Sequence, residues 1–438
     1  MTTVGFYKEL VFLLWCMLFC FQQFMINLTI NDETQKSILE HLQKTEDLLS
    51  KVASKLSNKN KKASIYAMPD LGIAQNGTRM MGGFYTGACY TWDTDVPFIP
   101  VDATVNVCGT AVYKLNQKIS NREFIERLDG VMNNRKTYLD FIDTCLPKEV
   151  SSQIDVNDDS KFYWNYNKGN HFVILAESDG KNGLGAGQYM IVHASAIEFK
   201  KDNLHSGLYP VKGNWFYDDI QTEYDDEHKR YVRYVAGDKA KRFYAIANYL
   251  KDFNKIRNRY FCKCVLGDLM EKEIVNISHY GMPSINSVCI GSQWEQQDYT
   301  LLTAPGNDVF LVHPEIKPNN KNSVKLDNQN ITLTPHGCGV RMNNSQDKIE
   351  YFDGGIKIGD NSYHIGESVN IGVDVSVRTK GMTNYELNQH ICKILSVCPG
   401  TVYGRLTQEF ARTKYGDFNY QEERNVERNL HEACGNSL

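Results

Sequence analysis

The sequence predicts a mixed α+β fold built around a large mixed β-sheet. From Ala63 onward, short apolar runs alternate with Gly, Pro, Asn and Asp, a pattern typical of strands joined by turns. Apolar residues at helical spacing predict helices over 121–138 and 239–263, and a charged tail is expected from Gln408. With 438 residues, of which 42% are apolar, the chain can bury a sizeable core.

Three regions are expected along the chain. Residues 1–30 form an apolar N-terminal segment, residues 31–62 a helix followed by the polar linker NKNKK, and residues 63–438 the main domain. The stretch 10–26 is almost entirely apolar, which suits a membrane anchor or signal peptide. A buried N-terminal strand or helix is the alternative. Since the linker precedes the first predicted strand, residues 1–30 are expected to be separable from the main domain.

Charge and cysteine usage narrow the function classes. The formal net charge of −4 argues against a protein that coats nucleic acid without selectivity, but it allows an enzyme with a local basic groove. Arg257 and Arg259 on the second predicted helix could bind phosphates, although a solvated basic face is the more common outcome. The twelve cysteines show no regular spacing and no CxxC pair, so free thiols and an intracellular, cytoplasmic location are expected.

Four residues offer metal ligands at the ends of apolar runs. Cys108 ends one predicted strand, His171 begins another after Asn170, His193 ends a third, and His279 follows a further apolar segment. Each alone is more often an ordinary polar residue. Together they supply a thiolate and three imidazoles, a workable set for a divalent transition metal. Because zinc modules carry their ligands in close pairs, such wide spacing favours a large catalytic site.

A fifth histidine lies in an unusual setting. His336 is surrounded by small residues in the segment TPHGCGV, so a bulky partner could approach its ring. A neutral imidazole can attack phosphorus and form a covalent intermediate. A Gly-rich turn with an incidental histidine is the alternative for this motif taken alone.

In their order along the chain, these motifs resemble the RtcB-type RNA ligases, the tRNA-splicing ligase family. The resemblance spans about residues 61–345, within the region 63–438 that would be the catalytic domain. A letter match at His205-Ser206-Gly207 competes with His193 but lacks a preceding apolar strand. The matching segments are Met68-Pro69-Asp70 with Gly82-Gly83, Cys108-Gly109, Gly169-Asn170-His171-Phe172, His193-Ala194-Ser195, His279-Tyr280, Ala304-Pro305-Gly306 and His336-Gly337-Cys338-Gly339.

The resemblance implies an RtcB-like fold with a central metal site and a defined reaction. RNA ends bearing a 2′,3′-cyclic phosphate or 3′-phosphate would be joined to 5′-hydroxyl ends, with GTP and Mn²⁺. His336 would carry GMP covalently, and Asn170 would contact the nucleotide. The metal ligands would be the cysteine and the three histidines already singled out, Cys108, His171, His193 and His279.

The sequence also departs from the family pattern. Val105 replaces an aspartate, with Asp102 nearby; Ile174 replaces a glutamate; and Val340 replaces an arginine. The residues 292–295 stand where the family has a basic segment on the nucleotide side. Two alternatives to a ligase therefore stay open: a catalytically inactive RtcB-like RNA-binding protein, and a metal-dependent phosphoesterase on the same scaffold.

Overall fold

The computed structural model describes residues 25–152, 154, 164–181, 183–199, 207–364 and 371–421. Helices and strands both contribute to the fold, so the predicted mixed α+β class is confirmed. The α-helices in these ranges are α1 (Glu33–Ser57), α2 (Gly77–Met81), α3 (Asn121–Met132), α4 (Arg135–Cys145), α5 (Lys148–Ser151), α6 (Asp238–Leu266) and α7 (Asn384–Val397).

The strands are numbered in chain order. They are β1 (Ile26–Asn27), β2 (Ala63–Gly72), β3 (Thr86–Trp92), β4 (Phe98–Pro100), β5 (Gly109–Leu115), β6 (Phe172–Ser178), β7 (Gly187–Ala194), β8 (Gln221–Asp225), β9 (Arg230–Ala236), β10 (Met270–Ser278), β11 (Tyr280–Gly281), β12 (Ser287–Ile290), β13 (Ser292–Gln293), β14 (Tyr299–Leu301), β15 (Val309–Pro314), β16 (Ser323–Leu326), β17 (Gln329–Thr332), β18 (Thr334–Pro335), β19 (Val340–Met342), β20 (Ile349–Phe352), β21 (Gly355–Ile358), β22 (Asn361–His364), β23 (Val375–Val377), β24 (Gly400–Thr413) and β25 (Gly416–Asn419).

Two sheets position the candidate site. The larger runs in the order β10-β5-β7-β6-β24-β15-β14, with β25 paired to β24. Its neighbouring strands all pair antiparallel, so the predicted mixture of directions is not found in this sheet. The second sheet runs β1-β2-β3-β12-β11, and only its β1–β2 pair is parallel.

Helix α1 packs against the second sheet. The helix begins after Asp32, which forms a capping box with Gln35. Its buried residues, including Ile38 and Leu42, belong to the same hydrophobic cluster as Ile65 of β2. The helix predicted within residues 31–62 is therefore present, and it shares a core with the strands that follow the linker.

The structure tests the prediction of a separable segment over residues 1–30 only at the C-terminal end of that segment. Ile26 and Asn27 pair with Tyr66 and Ala67 of β2, and Leu28 is buried, so the boundary placed at residue 30 falls after a paired strand. Residues 1–24 lie outside the described ranges, and with them most of the apolar stretch 10–26. Among the residues that are described, no helix is both long enough and apolar enough to cross a bilayer.

Two secondary-structure predictions are correct only in part. The helix predicted over 121–138 is broken between α3 and α4, because the side chain of Asn134 accepts a hydrogen bond from the backbone N–H of Thr137 and starts a new helix. Residues 408–413 of the tail expected from Gln408 instead belong to the central strand β24 and residues 416–419 to β25, while residues 422–438 lie outside the described ranges. The charged residues of β24 are accommodated by pairing, as Arg412 does with Asp129 and Asp417.

The packing of α6 argues against the predicted phosphate-binding role for Arg257 but does not test it for Arg259. Arg257 is fully buried, pairs with Glu198, and donates hydrogen bonds to the carbonyls of Ser195 and Trp164. Arg259 pairs with Glu273 on β10. Burial and pairing thus commit the guanidinium group of Arg257 to holding the helix, whereas Arg259, whose side chain is 56% exposed, forms a surface ion pair. None of the nine cysteines in the described ranges forms a disulfide.

Candidate metal centre

Strand register brings three of the predicted ligands together. Cys108 directly precedes β5, and β5 pairs with β7, where Thr110 lies opposite His193. On its other edge β5 pairs with β10, which ends one residue before His279. The backbone N–H of His279 donates to the carbonyl of Cys108 at 3.0 Å. Three adjacent antiparallel strands therefore deliver one ligand each to the same end of the sheet.

The three side chains form a compact, buried group. One ligand atom from each of Cys108, His193 and His279 lies within 4.8 Å of the others, and the residues are only 5%, 3% and 3% exposed. The Nε2 atoms of the two histidines are 3.1 Å apart. Two imidazole nitrogens that bind one metal at about 2.0–2.1 Å lie about 3 Å apart, so this spacing fits shared coordination.

The hydrogen bonds of His193 present the correct nitrogen. Its Nδ1 lies 2.9 Å from the carbonyl oxygen of Asn170, which can only accept. Nδ1 therefore carries the proton, and Nε2 keeps its lone pair toward His279. A metal-bound histidine usually has its second ring nitrogen fixed by a carbonyl or a carboxylate in this way. The side chain of Asn170 is itself exposed beside the site.

Electrostatics keep His279 in the form that binds metal. Burial, reinforced by the neighbouring imidazoles of His336, His193 and His171, holds the pKa of His279 well below 6.5. The ring is therefore neutral near pH 7, as a ligand must be. Its Nδ1 is buried and has no hydrogen-bond partner among the described residues.

The donor atoms also bear on which metal would fit. Thiolate and imidazole donors suit zinc, copper or iron by their own chemistry, whereas manganese is expected only from the family resemblance.

The fourth predicted ligand lies next to this group but outside it. The ring centroid of His171 is 5.8 Å from that of His193. Its Nδ1 is held by the carbonyl of Asn165 at 2.9 Å, while its Nε2 lies 3.0 Å from the hydroxyl of Ser195. The hydroxyl therefore contacts the nitrogen that a metal would need. His171 has the orientation expected of a ligand, but it does not share the space between the other three.

His336, the predicted nucleophile, lies beside these three candidate metal ligands. Its ring centroid is 4.9 Å from that of His279, and its side chain is 20% exposed. Nδ1 lies 2.5 Å from a carboxylate oxygen of Asp70 and 2.7 Å from the carbonyl oxygen of Gly291. Both partners are acceptors, so Nδ1 carries the proton. The lone pair is thus on Nε2, the nitrogen that could attack an electrophile.

Glycines allow the close packing around this ring. Gly291 has φ +73°, and a Cβ there would lie 2.9 Å from Cε1 of His336. A Cβ at Gly337 would lie 2.7 Å from the carbonyl oxygen of Leu302, which accepts the backbone N–H of Cys338. The glycines therefore permit the close approach of neighbouring backbone that holds His336 in place.

The role of Asp70 was not predicted from the sequence. The carboxylate is fully buried, and the same oxygen that faces Nδ1 also accepts the backbone N–H of His336 at 3.1 Å. The other oxygen has no hydrogen-bond partner in the described part of the chain. The sequence did offer one indication, an aspartate within the apolar strand β2. A carboxylate is rarely buried in such a strand unless it is paired or takes part in function.

Residues at or near the positions that differ from the family pattern make other contacts within the fold. Asp102 forms an ion pair with Arg233 rather than approaching the cysteine, and Cys108 donates instead to the side chain of Asn106 at 3.1 Å. Glu295, in the segment opposite the family's basic residues, pairs with Lys255 and accepts the backbone N–H of Ser278. His205 lies outside the described ranges.

No protein-family model matches the chain, and no curated protein matches it significantly. Fold and site together define a mixed α+β protein with a buried cysteine and two buried histidines that could hold a metal ion. A partly exposed, carboxylate-anchored histidine stands next to that group.

Proposed function

We propose that the chain is a metal-dependent RNA ligase that carries GMP on His336. One observation carries the proposal: the Nδ1 atom of His336 is fixed by Asp70 and Gly291, with the ring 4.9 Å from that of His279. A nucleophilic nitrogen beside a group of metal ligands is the arrangement that phosphoryl transfer needs. The ordered resemblance to RtcB-type ligases supports the same reaction.

In the first step His336 acts as the nucleophile. Its Nε2 lone pair attacks the α-phosphorus of GTP, a P–N bond forms, and the bond to the leaving pyrophosphate breaks. The proton on Nδ1 stays on the ring, where Asp70 stabilises the positive charge that develops. No proton transfer is needed before attack, because the lone pair is already on Nε2.

The neighbouring residues would assist in distinct ways. Cys108, His193 and His279 would hold a metal ion, which supplies neutralisation of phosphate charge when bound. His171 could join them if the hydroxyl of Ser195 rotates away from Nε2. Asn170 is exposed beside the ligands and would donate to the nucleotide. A 3′-phosphate end, present from the start or formed when water opens a cyclic phosphate, would then attack the phosphorus of the His336–GMP adduct and break its P–N bond. The 5′-hydroxyl would finally attack the 3′-phosphorus, with GMP as the leaving group.

A metal-dependent phosphoesterase is the second candidate. It is favoured by the segment 292–295, where Glu295 is occupied by Lys255 and Ser278 instead of facing a nucleotide. In a phosphoesterase, Nε2 of His336 would accept a proton from the attacking water, and no GTP would be used. A loss of both reactions would leave an RNA-binding protein without catalysis.

A single substrate distinguishes these functions. The protein is incubated with metal and an RNA carrying a 2′,3′-cyclic phosphate and a 5′-hydroxyl, with or without GTP. Joined product that depends on GTP supports the ligase. Loss of the terminal phosphate without joining, independent of GTP, supports the phosphoesterase. RNA that is bound but unchanged under both conditions contradicts both catalytic functions.

A further inference from the structure

Asn106 lies against the cysteine of the candidate metal centre. Its side-chain Oδ1 is 3.1 Å from Sγ of Cys108, which donates the hydrogen bond as a thiol. Asn106 is half-buried, whereas Cys108, His193 and His279 are almost fully buried. An amide oxygen therefore stands directly next to one ligand atom of the group.

The backbone around Asn106 has an unusual conformation. Thr104 and Val107 are both β-branched, and their φ angles are +46° and +51°, values that such residues rarely adopt. Strain of this kind persists only where the surrounding structure enforces it, and it is frequent at functional sites. The turn thus places Asn106 beside Cys108 against the local preference of the backbone.

Residues next to both histidine ligands hold this turn in place. Nδ2 of the buried Asn254 donates at 3.1 Å to the carbonyl of Val107 and at 3.0 Å to that of Ala194, which follows the first histidine. The hydroxyl of Tyr280, which follows the second histidine, lies 3.0 Å from the carbonyl oxygen of Thr104. The position of the turn is therefore coupled to the two strands that deliver the imidazoles.

The contact between Sγ and Oδ1 has the length expected for two donors to one metal ion. A sulfur ligand at about 2.3 Å and an oxygen ligand at about 2.1 Å from one metal lie about 3.1–3.6 Å apart, for angles of about 90–109°. Cys108 would bind metal as a thiolate, so the proton that joins Sγ to Oδ1 would be lost. Two electron-rich atoms at this distance then repel each other unless a cation lies between them.

We propose that Oδ1 of Asn106 is a further donor to the metal ion held by Cys108, His193 and His279, and that it sets the metal preference of the site. A carbonyl oxygen favours ions such as Mn²⁺, whereas thiolate and imidazole favour ions such as Zn²⁺. One oxygen among the softer donors therefore shifts the preference of the site toward the harder ion. The inference rests on the metal site of the proposed function, but it involves neither GTP nor RNA.

The test measures the affinities for Mn²⁺ and Zn²⁺ separately, by competition with a metal-binding dye. Wild type is compared with Asn106→Ala, which removes the oxygen, and with Asn106→Asp, which keeps an oxygen there and adds a charge. Asn116→Ala is the matched control, because Asn116 is exposed and follows the other end of β5. Melting curves without metal establish that each variant is folded.

Asn106→Ala is expected to weaken Mn²⁺ binding about tenfold or more and Zn²⁺ binding about threefold at most, so the ratio of the two affinities changes. Asn106→Asp should bind Mn²⁺ at least as tightly as the wild type does. With Co²⁺ bound, Asn106→Ala should alter the d–d absorption bands and keep the charge-transfer band from the Cys108 thiolate. Asn116→Ala should match the wild type in every measurement.

The results that would overturn the inference differ from those that would defeat the ligase. Unchanged Mn²⁺ affinity in folded Asn106→Ala overturns it, and so does a wild-type protein that binds no metal. An equal loss of both affinities, with Asn106→Asp as weak as Asn106→Ala, would show that Asn106 only positions Cys108.

Adduct formation with labelled GTP is measured in parallel on the wild-type protein. Metal binding that depends on Asn106 in a protein that forms no adduct keeps the inference and defeats the ligase. An adduct in the wild type, together with unchanged Mn²⁺ affinity in Asn106→Ala, keeps the ligase and overturns the inference.

Discussion

Replacing Asp70 by asparagine should separate the chemistry of His336 from its position in the fold. The carboxylate accepts two hydrogen bonds from His336, one from the backbone N–H at 3.1 Å and one from Nδ1 at 2.5 Å. Asparagine has nearly the same size, but it accepts without a charge and can also donate from its amide nitrogen. If that nitrogen faces Nδ1, the ring proton moves to Nε2 and the nucleophilic lone pair is lost.

The size of the effect on the rate follows from the bond at Nδ1. A hydrogen bond to a charged group contributes about 1 kcal/mol more than a neutral one. The Nδ1 bond strengthens as the ring becomes positive during attack, whereas the backbone bond is unchanged, so the loss of about 1 kcal/mol corresponds to roughly a fivefold slower formation of the GMP adduct. The bond from Nδ1 to Gly291 at 2.7 Å is retained, so the ring should stay in place. A change of tautomer would slow the reaction further.

The assay for Asp70→Asn is the single-turnover rate of adduct formation with labelled GTP, together with a thermal unfolding curve. Asp308→Asn is a matched control, since Asp308 is also a buried carboxylate but pairs with Arg405 instead of His336. The control should lose stability but keep its rate per folded molecule. An Asp70→Asn protein that reacts at the wild-type rate would refute the anchoring role.

Three further predictions follow from the site and its surroundings. Cys108→Ala should lower the apparent metal affinity at least about 100-fold, measured by metal content after gel filtration, whereas His313→Ala, at an exposed histidine, should not. Burial and the charge of Arg230 lower the pKa of His41 from 6.5 to about 4, so between pH 7 and pH 5 the unfolded chain takes up a proton at this residue that the folded chain does not. This group alone should therefore cost about 2 kcal/mol of stability to urea over that range, and the difference in stability between wild type and His41→Gln should change by that amount. Deleting residues 1–24 should leave the melting temperature unchanged, whereas deleting 1–30 should lower it, because the longer deletion removes β1 and the buried Leu28.

Much of the site could be predicted because its ligands follow a local pattern. Cys108, His193 and His279 each stand at the end of an apolar run, and antiparallel pairing of β5 with β7 and β10 brings such ends together. The mixed α+β class followed from the same alternation of strand and helix patterns. His336 was recognisable by its small neighbours.

The remaining features depend on contacts that no local pattern encodes. Asp70 lies 266 residues from His336 in sequence, so its hydrogen bond to Nδ1 could not be inferred from either segment. The contact of Ser195 with His171 and the burial of Arg257 depend likewise on how distant elements pack. The break between α3 and α4 depends on one cap, at Asn134, inside a continuous apolar pattern.

The most direct test of the account is the reaction of the protein with α-labelled GTP and manganese in the absence of RNA. We expect a covalent GMP adduct that is labile in acid and stable in alkali, as a phosphoramidate should be, and that mass spectrometry locates on His336. The adduct should be absent from His336→Ala. A wild-type protein that binds metal but forms no adduct, or an adduct that persists in His336→Ala, would contradict it.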